Sequence, residues 1–360
     1  MILNLEKIVS LKKTIKESCP KTGDQKKDSI YFDFDKNKAF FHNERFNGEV
    51  DFSFEVDSMD EEIVNFYVNT FKFFFIINDF DPTAVQLSFE HKDGSFIPVF
   101  HKDKDIYKIS YIISEDDLSM DIDEKEYQSI NLLKDDIKMI EEAALFIDYN
   151  DEYSFNSVAI SSDSKVFGTT PTRFFEGKLE ETIKDSFFIH RDVVKALVTL
   201  DSCNVLYTEG RFIIKNKDYR LVYNTGASHT VIPSEEDKGN VVSKEHCIIL
   251  DKNELKENLK FFEPFYTTDS KPIRLTIEDN ETMKISTVSS YDIVEKSISA
   301  KSENLVGFTA KYNATIIKNI LNIFEEKELM VYVDSDKIGA LFTDSTNKKE
   351  AVVIQYAESD

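Results

Sequence analysis

Three stretches of this chain repeat one another, and that constrains its fold more than any other feature. They are "NFYVNTFKFFFIINDFDPTAVQLSFE" (65–90), "SFFIHRDVVKALVTLDSCNVLYTEGRFIIKN" (186–216) and "VGFTAKYNATIIKNILNIFEEKELMVYVDSDKIGALFTD" (306–344). Each opens on an aromatic strand end, Tyr67, Phe188 or Phe308. Each then runs through a helical stretch and a short polar link into an alternating strand. The anchors lie about 120 residues apart, the even spacing of tandem domains.

A second element repeats in phase. Amphipathic helices are predicted over 4–18, 132–146 and 250–264. Leu5, Ile8, Val9, Leu11 and Ile15 recur at helical spacing in the first, and Leu250, Leu255, Leu259 and Phe262 in the third. Pro20 and Pro264 are expected to stop their helices. Between the helices the chain reads as short alternating strands, such as "SIYFDFDKNKAFFH" and "IRLTIEDNETMKISTVSS". The class is therefore α+β: three tandem similar domains, each with two helices packed on antiparallel sheet. The polar runs "SEDDLSMDIDEKEYQ" and "PSEEDKGNVVSKE" place the domains at 1–124, 125–244 and 245–360.

With 30 Phe and 15 Tyr in 360 residues, such domains have ample core material, and 31% charged residues fit a globular protein. No apolar run reaches the length of a membrane span, and "MILNLEKIVS" lacks the features of a signal peptide. A cytoplasmic protein without membrane contact is expected. Cys19, Cys203 and Cys247 are too scattered for a zinc site or disulfide frame, and are read as small buried side chains.

The net charge of −23 argues against coating nucleic acid by bulk charge, so the placement of the 44 basic residues matters more than their deficit. On the first helix of each unit lysines stand four apart: Lys12 and Lys16, Lys134 and Lys138, then Lys252, Lys256 and Lys260. The second helices add Lys72, Arg191, Lys195 and Lys318. Like charges at that spacing cost a few tenths of a kcal/mol. Their presence in all three units asks for an external anion, and a basic track for phosphates would supply one. The competing reading is a solvated face diluted by Glu17, Asp135, Asp136, Glu141, Glu142 and Glu257.

Catalytic patterns are absent. There is no phosphate-cradling Gly-rich loop, no nucleophile elbow and no zinc-protease helix motif, and the six His show no ligand spacing. "DYNDEY" (148–153) hints at a calcium loop, but the sixth position is not Gly and the twelfth is Ala159. No catalytic residue, metal or cofactor is expected. Two rival functions stay open: an acidic decoy that mimics DNA, and a metal-dependent hydrolase using Asp148, Asp151 and Asp163.

The third unit, "GFTAKYNATIIKNILNIFEEKELMVYVDSDKIGALFTD" followed by "EAVVIQY", resembles the bacterial-type DNA polymerase sliding clamp, the beta subunit of the replicative polymerase. In the second unit "FNSVAIS" (155–161), "FGTTPTRFF" (167–175) and "RLVYNTGASHTVIP" (220–233) are similar to clamp segments; the first unit matches weakly. The resemblance implies a non-enzymatic DNA-clamp fold that is half of a closed ring. It implies a homodimer encircling double-stranded DNA, with the lysine rows facing the duplex.

It also implies a hydrophobic groove in which a DNA polymerase or clamp loader docks a short linear peptide. The positions that carry over are Phe155, Thr169, Pro171, Thr172, Arg173, Phe174, Val231, Ile232, Pro233, Val352, Val353, Ile354 and Tyr356. Phe261 and Phe262 are candidates for the dimer interface. The chain departs from the pattern at Thr170 to Thr172, at Ile354 to Tyr356 with four residues beyond, and at Ala227 to Thr230, where a basic pair is usual. Those departures suggest a diverged clamp, as from a phage acting in its host's cytoplasm, tuned to its own partners.

Overall fold

A computed structural model describes residues 1–360 except 20–25, 44, 57–62, 93–94, 115, 117, 119, 121, 152–154, 227–229, 267–270, 289–292, 347 and 356–360. One order of elements is traversed three times.

The first pass is β1 (Ile2–Asn4), α1 (Glu6–Ser10), α2 (Lys12–Ser18), β2 (Ser29–Asp33), β3 (Lys38–His42), β4 (Phe46–Asp51), β5 (Ser53–Glu55), β6 (Phe66–Asn69), α3 (Thr70–Ile77), β7 (Val85–Lys92), β8 (Ser95–Lys102), β9 (Asp105–Lys108) and β10 (Tyr111–Ile113). The second is β11 (Gln128–Leu132), α4 (Lys134–Ala144), β12 (Ser157–Ile160), β13 (Lys165–Thr170), β14 (Arg173–Lys178), β15 (Phe187–His190), α5 (Arg191–Leu197), β16 (Cys203–Thr208), β17 (Arg211–Lys215), β18 (Tyr219–Asn224) and α6 (Glu235–Val241). The third is β19 (His246–Asp251), α7 (Lys252–Phe261), β20 (Pro272–Ile277), β21 (Thr282–Thr287), β22 (Glu295–Ser302), β23 (Thr309–Asn313), α8 (Ala314–Ile323), β24 (Glu328–Val333), β25 (Gly339–Thr343) and β26 (Glu350–Ile354).

The sequence explains the helix starts. Each second helix follows directly on a strand whose last residue caps it. Asn69 accepts from the Lys72 amide, His190 from that of Asp192, and Asn313 from those of Thr315 and Ile316. Asp251 does the same for α7. The expected 4–18 helix is two helices that meet at Leu11. Burial follows the predicted stripes except at Val9, which is half-buried: Leu5, Ile8, Leu11 and Ile15, and Leu250, Leu255, Leu259 and Phe262, are all in the core. From Leu329 on, strand β24 alternates buried and half-buried residues, as a sheet with one covered face should, whereas β2 and β25 are buried throughout. The linker run 233–245 holds a helix that the sequence reading lacked. Its start is a capping box: Ser234 Oγ accepts from the Asp237 amide at 3.1 Å and Asp237 Oδ2 accepts from the Ser234 amide at 2.9 Å.

Chain contacts divide the protein into two compact units, 1–137 with 190–228, and 138–189 with 229–360. In the first unit a five-stranded sheet (β5-β1-β7-β8-β9) accompanies a nine-stranded one (β10-β6-β2-β3-β4-β18-β17-β16-β11). Strand β4 of the first pass pairs antiparallel with β18 of the second, Gly48 opposite Leu221. The core there is aromatic: Phe32, Phe34, Phe52, Phe66 and Phe73 form a chain of ring contacts 5.3–6.5 Å between centroids. In the second unit a single sheet runs β15-β12-β13-β14-β26-β25-β24-β19-β22-β21-β20-β23. Here β14 pairs with β26, Phe174 opposite Val352, so each joint between successive passes is a continued sheet.

Candidate functional site: an apolar groove and basic helix faces

The groove belongs to the second compact unit. Strand β26 lies between β14 and β25, and alternation sends its side chains to opposite faces. Val352 joins a small core with Phe174, Leu341 and Val242, against which Val241 and Tyr332 pack. Above that floor is a cleft of about 330 Å³ lined by Phe155, Thr169, Thr170, Pro171, Arg173, Phe174, Val231, Pro233, Asp237, Lys238, Val241, Val352 and Ile354. Nine of the thirteen residues carried over by the resemblance are among them. Thr172 is not, but its carbonyl accepts the Ile354 amide at 2.9 Å. Val353 is fully buried on the opposite face of β26. Ile232 is half-buried between two lining residues without lining the cleft. Tyr356 lies outside the described residues.

Helix α6 supplies the wall that sequence reasoning missed. Lys238 pairs with Glu176 on β14 and, at 2.7 Å, with Glu235, while its ammonium sits 5.7 Å from the ring centres of both Phe167 and Phe174. Burial works against that charge, but the two carboxylates outweigh it and the Lys238 pKa is raised. The helix can approach because residue 339 is glycine. A Cβ there would lie 2.7 Å from Val241 Cγ1 and 3.0 Å from the Val241 carbonyl oxygen. Lys238 thus brings a cation to the groove although Ala227–Thr230 carries none. The Ser234-x-x-Asp237 spacing was the signal that could have revealed the helix.

Arg173 supplies the groove's other cation. Its Nη2 donates to the Ile147 carbonyl at 3.2 Å, and its Nε has no hydrogen-bond partner among the described residues. Burial draws the guanidinium's pKa down, with Asp148 pulling the other way. The cleft is therefore an apolar trough, with Val231 57% exposed at its rim.

The basic side chains lie on their helices away from the buried stripes. On α7, Leu255 and Leu259 are buried while Lys256 and Lys260 are exposed; on α4, Ile137 and Ile140 are buried while Lys134 and Lys138 are exposed. Most make contacts within the chain. Lys12 donates to Asn78, Lys72 to Ser110 Oγ at 3.4 Å, and Lys16 lies 5.9 Å above the Phe74 ring. Lys134 is 3.7 Å from Asp201, and Lys195 is 3.6 Å from Asp192; half-exposed Arg191 opens α5. Lys138 pairs with Glu325 and Lys318 with Glu263. Lys252 donates to the Phe324 and Glu325 carbonyls at 2.8 and 3.1 Å, and Lys256 to Asn322 at 2.7 Å. Phe262 is fully buried and closed to any partner, whereas Phe261 is 44% exposed, with Lys296 Nζ 3.9 Å from its ring centre. Among the described residues, no His, Cys, Asp and Glu group could hold a metal ion, and no helix is long and apolar enough to cross a membrane.

No protein-family model and no curated protein matches the chain. Solved structures do. A DNA polymerase III beta subunit from Thermotoga maritima superposes with a TM-score of 0.82 at 12% identity, and one from Pseudomonas aeruginosa with 0.80 at 10%; each match covers 99% of both chains. The Helicobacter pylori beta clamp bound to a DNA ligase peptide matches with a TM-score of 0.76 at 14% identity, again over 99% of both chains. The fold is that of the DNA sliding clamp, the class the sequence resembles.

Proposed function

We propose that this chain is a diverged DNA sliding clamp. Two copies, each of three modules (1–124, 125–244 and 245–360), close head to tail around double-stranded DNA. The basic helix faces meet the duplex without reading its sequence. The apolar groove takes short linear peptides from a DNA polymerase and from a clamp loader, and the protein performs no chemistry of its own. It works in the cytoplasm on replicating DNA, a host's cytoplasm if the gene is a phage's.

The observation that carries this reading is an unmatched joint. Within the chain, β4 continues into β18 and β14 into β26. Helices accompany both joints: α2 packs on α5, with Thr14 against Thr199, and α4 reaches the residues after α8 through Lys138 and Glu325. The elements in equivalent places of the remaining passes are β22 with α7, and β9 with α3. Among the described residues, β22 pairs over Glu295–Ser299 only with β21, and β9 pairs only with β8. Exposed apolar groups flank both edges: Phe261 on α7, Ile106 on β9 at 58% and Phe75 on α3 at 78%. An open strand edge beside exposed aromatics invites pairing, and a head-to-tail contact that closes gives a ring. The Helicobacter pylori clamp, which holds a DNA ligase peptide, supports the peptide-docking part.

The test is solution mass. The wild type is expected at the mass of two chains, and Phe75→Glu combined with Ile106→Glu at the mass of one. A wild type that stays single at micromolar concentration would overturn the ring.

A further inference from the structure

We infer that three carboxylates, Asp192, Glu263 and Glu325, stand in for backbone phosphate on the basic helix faces and keep the grip on DNA weak enough for the protein to slide. The inference rests on the clamp reading above. Each carboxylate sits inside a knot of bases drawn from separate elements. Glu325, just past α8, pairs with Lys138 of α4; its own backbone oxygen receives Lys252. Its carboxyl is held below the ordinary range, first by the Lys138 hydrogen bond and charge, then by the fields of Lys349 and Lys252. Glu263, just past α7, pairs with Lys318 of α8 and is held low by that bond and charge, with Lys271 and Lys260 adding to it. Asp192, in the first turn of α5, lies 3.6 Å from Lys195 and 4.0 Å from Arg45. His190 adds no charge there: its Nδ1 accepts the Asp192 amide at 3.3 Å, and burial lowers its pKa.

The same pattern of one acid among several bases thus occurs three times, once in the second pass and twice in the third. A carboxylate offers an ammonium the same thing a phosphate does, an anionic oxygen to accept its hydrogen bonds. These pairs are solvent-accessible: the side chains of Glu325, Glu263 and Asp192 are 77%, 47% and 37% exposed. Solvent screening leaves exposed pairs weak, so a passing phosphate exchanges with the carboxylate at little cost. A lysine already neutralised from within also cancels less phosphate charge, so fewer of the counterions condensed on DNA are released, which flattens the salt dependence of binding. The result is many contacts, each nearly isoenergetic with its internal substitute.

The experiment compares wild type, Glu263→Gln with Glu325→Gln, and a control of equal charge change, Glu209→Gln with Glu303→Gln in exposed turns. Binding to a short dye-labelled duplex is followed against potassium chloride, and retention on plasmid circles is measured in parallel. The helix variant should bind the duplex several-fold more tightly at low salt, with a log–log salt slope steeper by about 2, and diffuse more slowly on DNA. The control should match wild type. Equal slopes for helix variant and wild type, with circles still retained, would overturn this inference and leave the clamp reading standing. A helix variant and control that shift alike would also overturn it, since only net charge would then matter. Wild type that circles do not retain would overturn the clamp reading and this inference with it.

Discussion

Gly339→Ala tests whether helix α6 is truly a wall of the groove. Glycine at this strand position is ordinarily a loss, and alanine should gain roughly 0.5–1 kcal/mol in backbone entropy. Against that, the new Cβ would meet Val241 Cγ1 at 2.7 Å, the Val241 carbonyl at 3.0 Å and Val352 Cγ1 at 3.3 Å. The first approach is closer than carbon atoms tolerate, and the second contact is backbone. Overpacking of this kind costs about 1–3 kcal/mol. The net expectation is a loss of roughly 0.5–2 kcal/mol, expressed where the structure can give way. That place is α6, a seven-residue helix with no fully buried residue of its own. Amide hydrogen exchange over 235–242 should therefore quicken several-fold, with the rest of the second unit unchanged. A dye-labelled apolar peptide should lose affinity in step. If exchange, melting temperature and peptide binding all equal wild type, the contact geometry at Gly339 is not what holds the wall in place.

Three further outcomes follow from the same geometry. Lys238→Met leaves Glu176, 15% exposed, with Lys165 at 2.8 Å as its remaining partner; a stability loss of about 1–3 kcal/mol and weaker peptide binding are expected in denaturant titration and fluorescence anisotropy. Asp116 is held to a pKa of about 2, first by the hydrogen bond from Lys26, then by those from Tyr67 and Ser114. A depressed carboxyl stabilises above its unfolded value of 3.8 and loses that contribution as pH falls towards 2. Asp116→Asn should thus be less stable than wild type at neutral pH, by no more than about 1 kcal/mol for so exposed a group, and the gap should close between those two pH values. Reversing Lys134, Lys138, Lys252 and Lys256 to Glu should abolish detectable binding to a short duplex at physiological salt; unimpaired binding would remove those lysines from the DNA-facing track.

How much of this was legible in the sequence depends on the range of the interactions involved. The second helices were legible because a cap and an apolar stripe are local: Asn69, His190 and Asn313 sit directly before residues that recur at helical spacing. The lysine rows were legible for the same reason, but their partners were not. Lys138 and Glu325, or Arg45 and Asp192, are far apart in the chain and meet only through tertiary packing. Phe261 and Phe262 show the limit within one helix end. Neighbours of identical chemistry, one is fully buried and the other 44% exposed. The groove was reached through resemblance, so its borrowed residues came along and its private ones did not. Helix α6 was passed over because "PSEEDKGNVVSKE" is polar, though its capping spacing was in plain view.

The central claim is that the protein holds DNA by encirclement, and topology tests it most directly. Protein should elute with a closed plasmid circle through gel filtration in physiological salt, and should fall away once a restriction enzyme opens that circle. Protein that stays equally bound to the linear product, or never travels with the circle, would contradict the account.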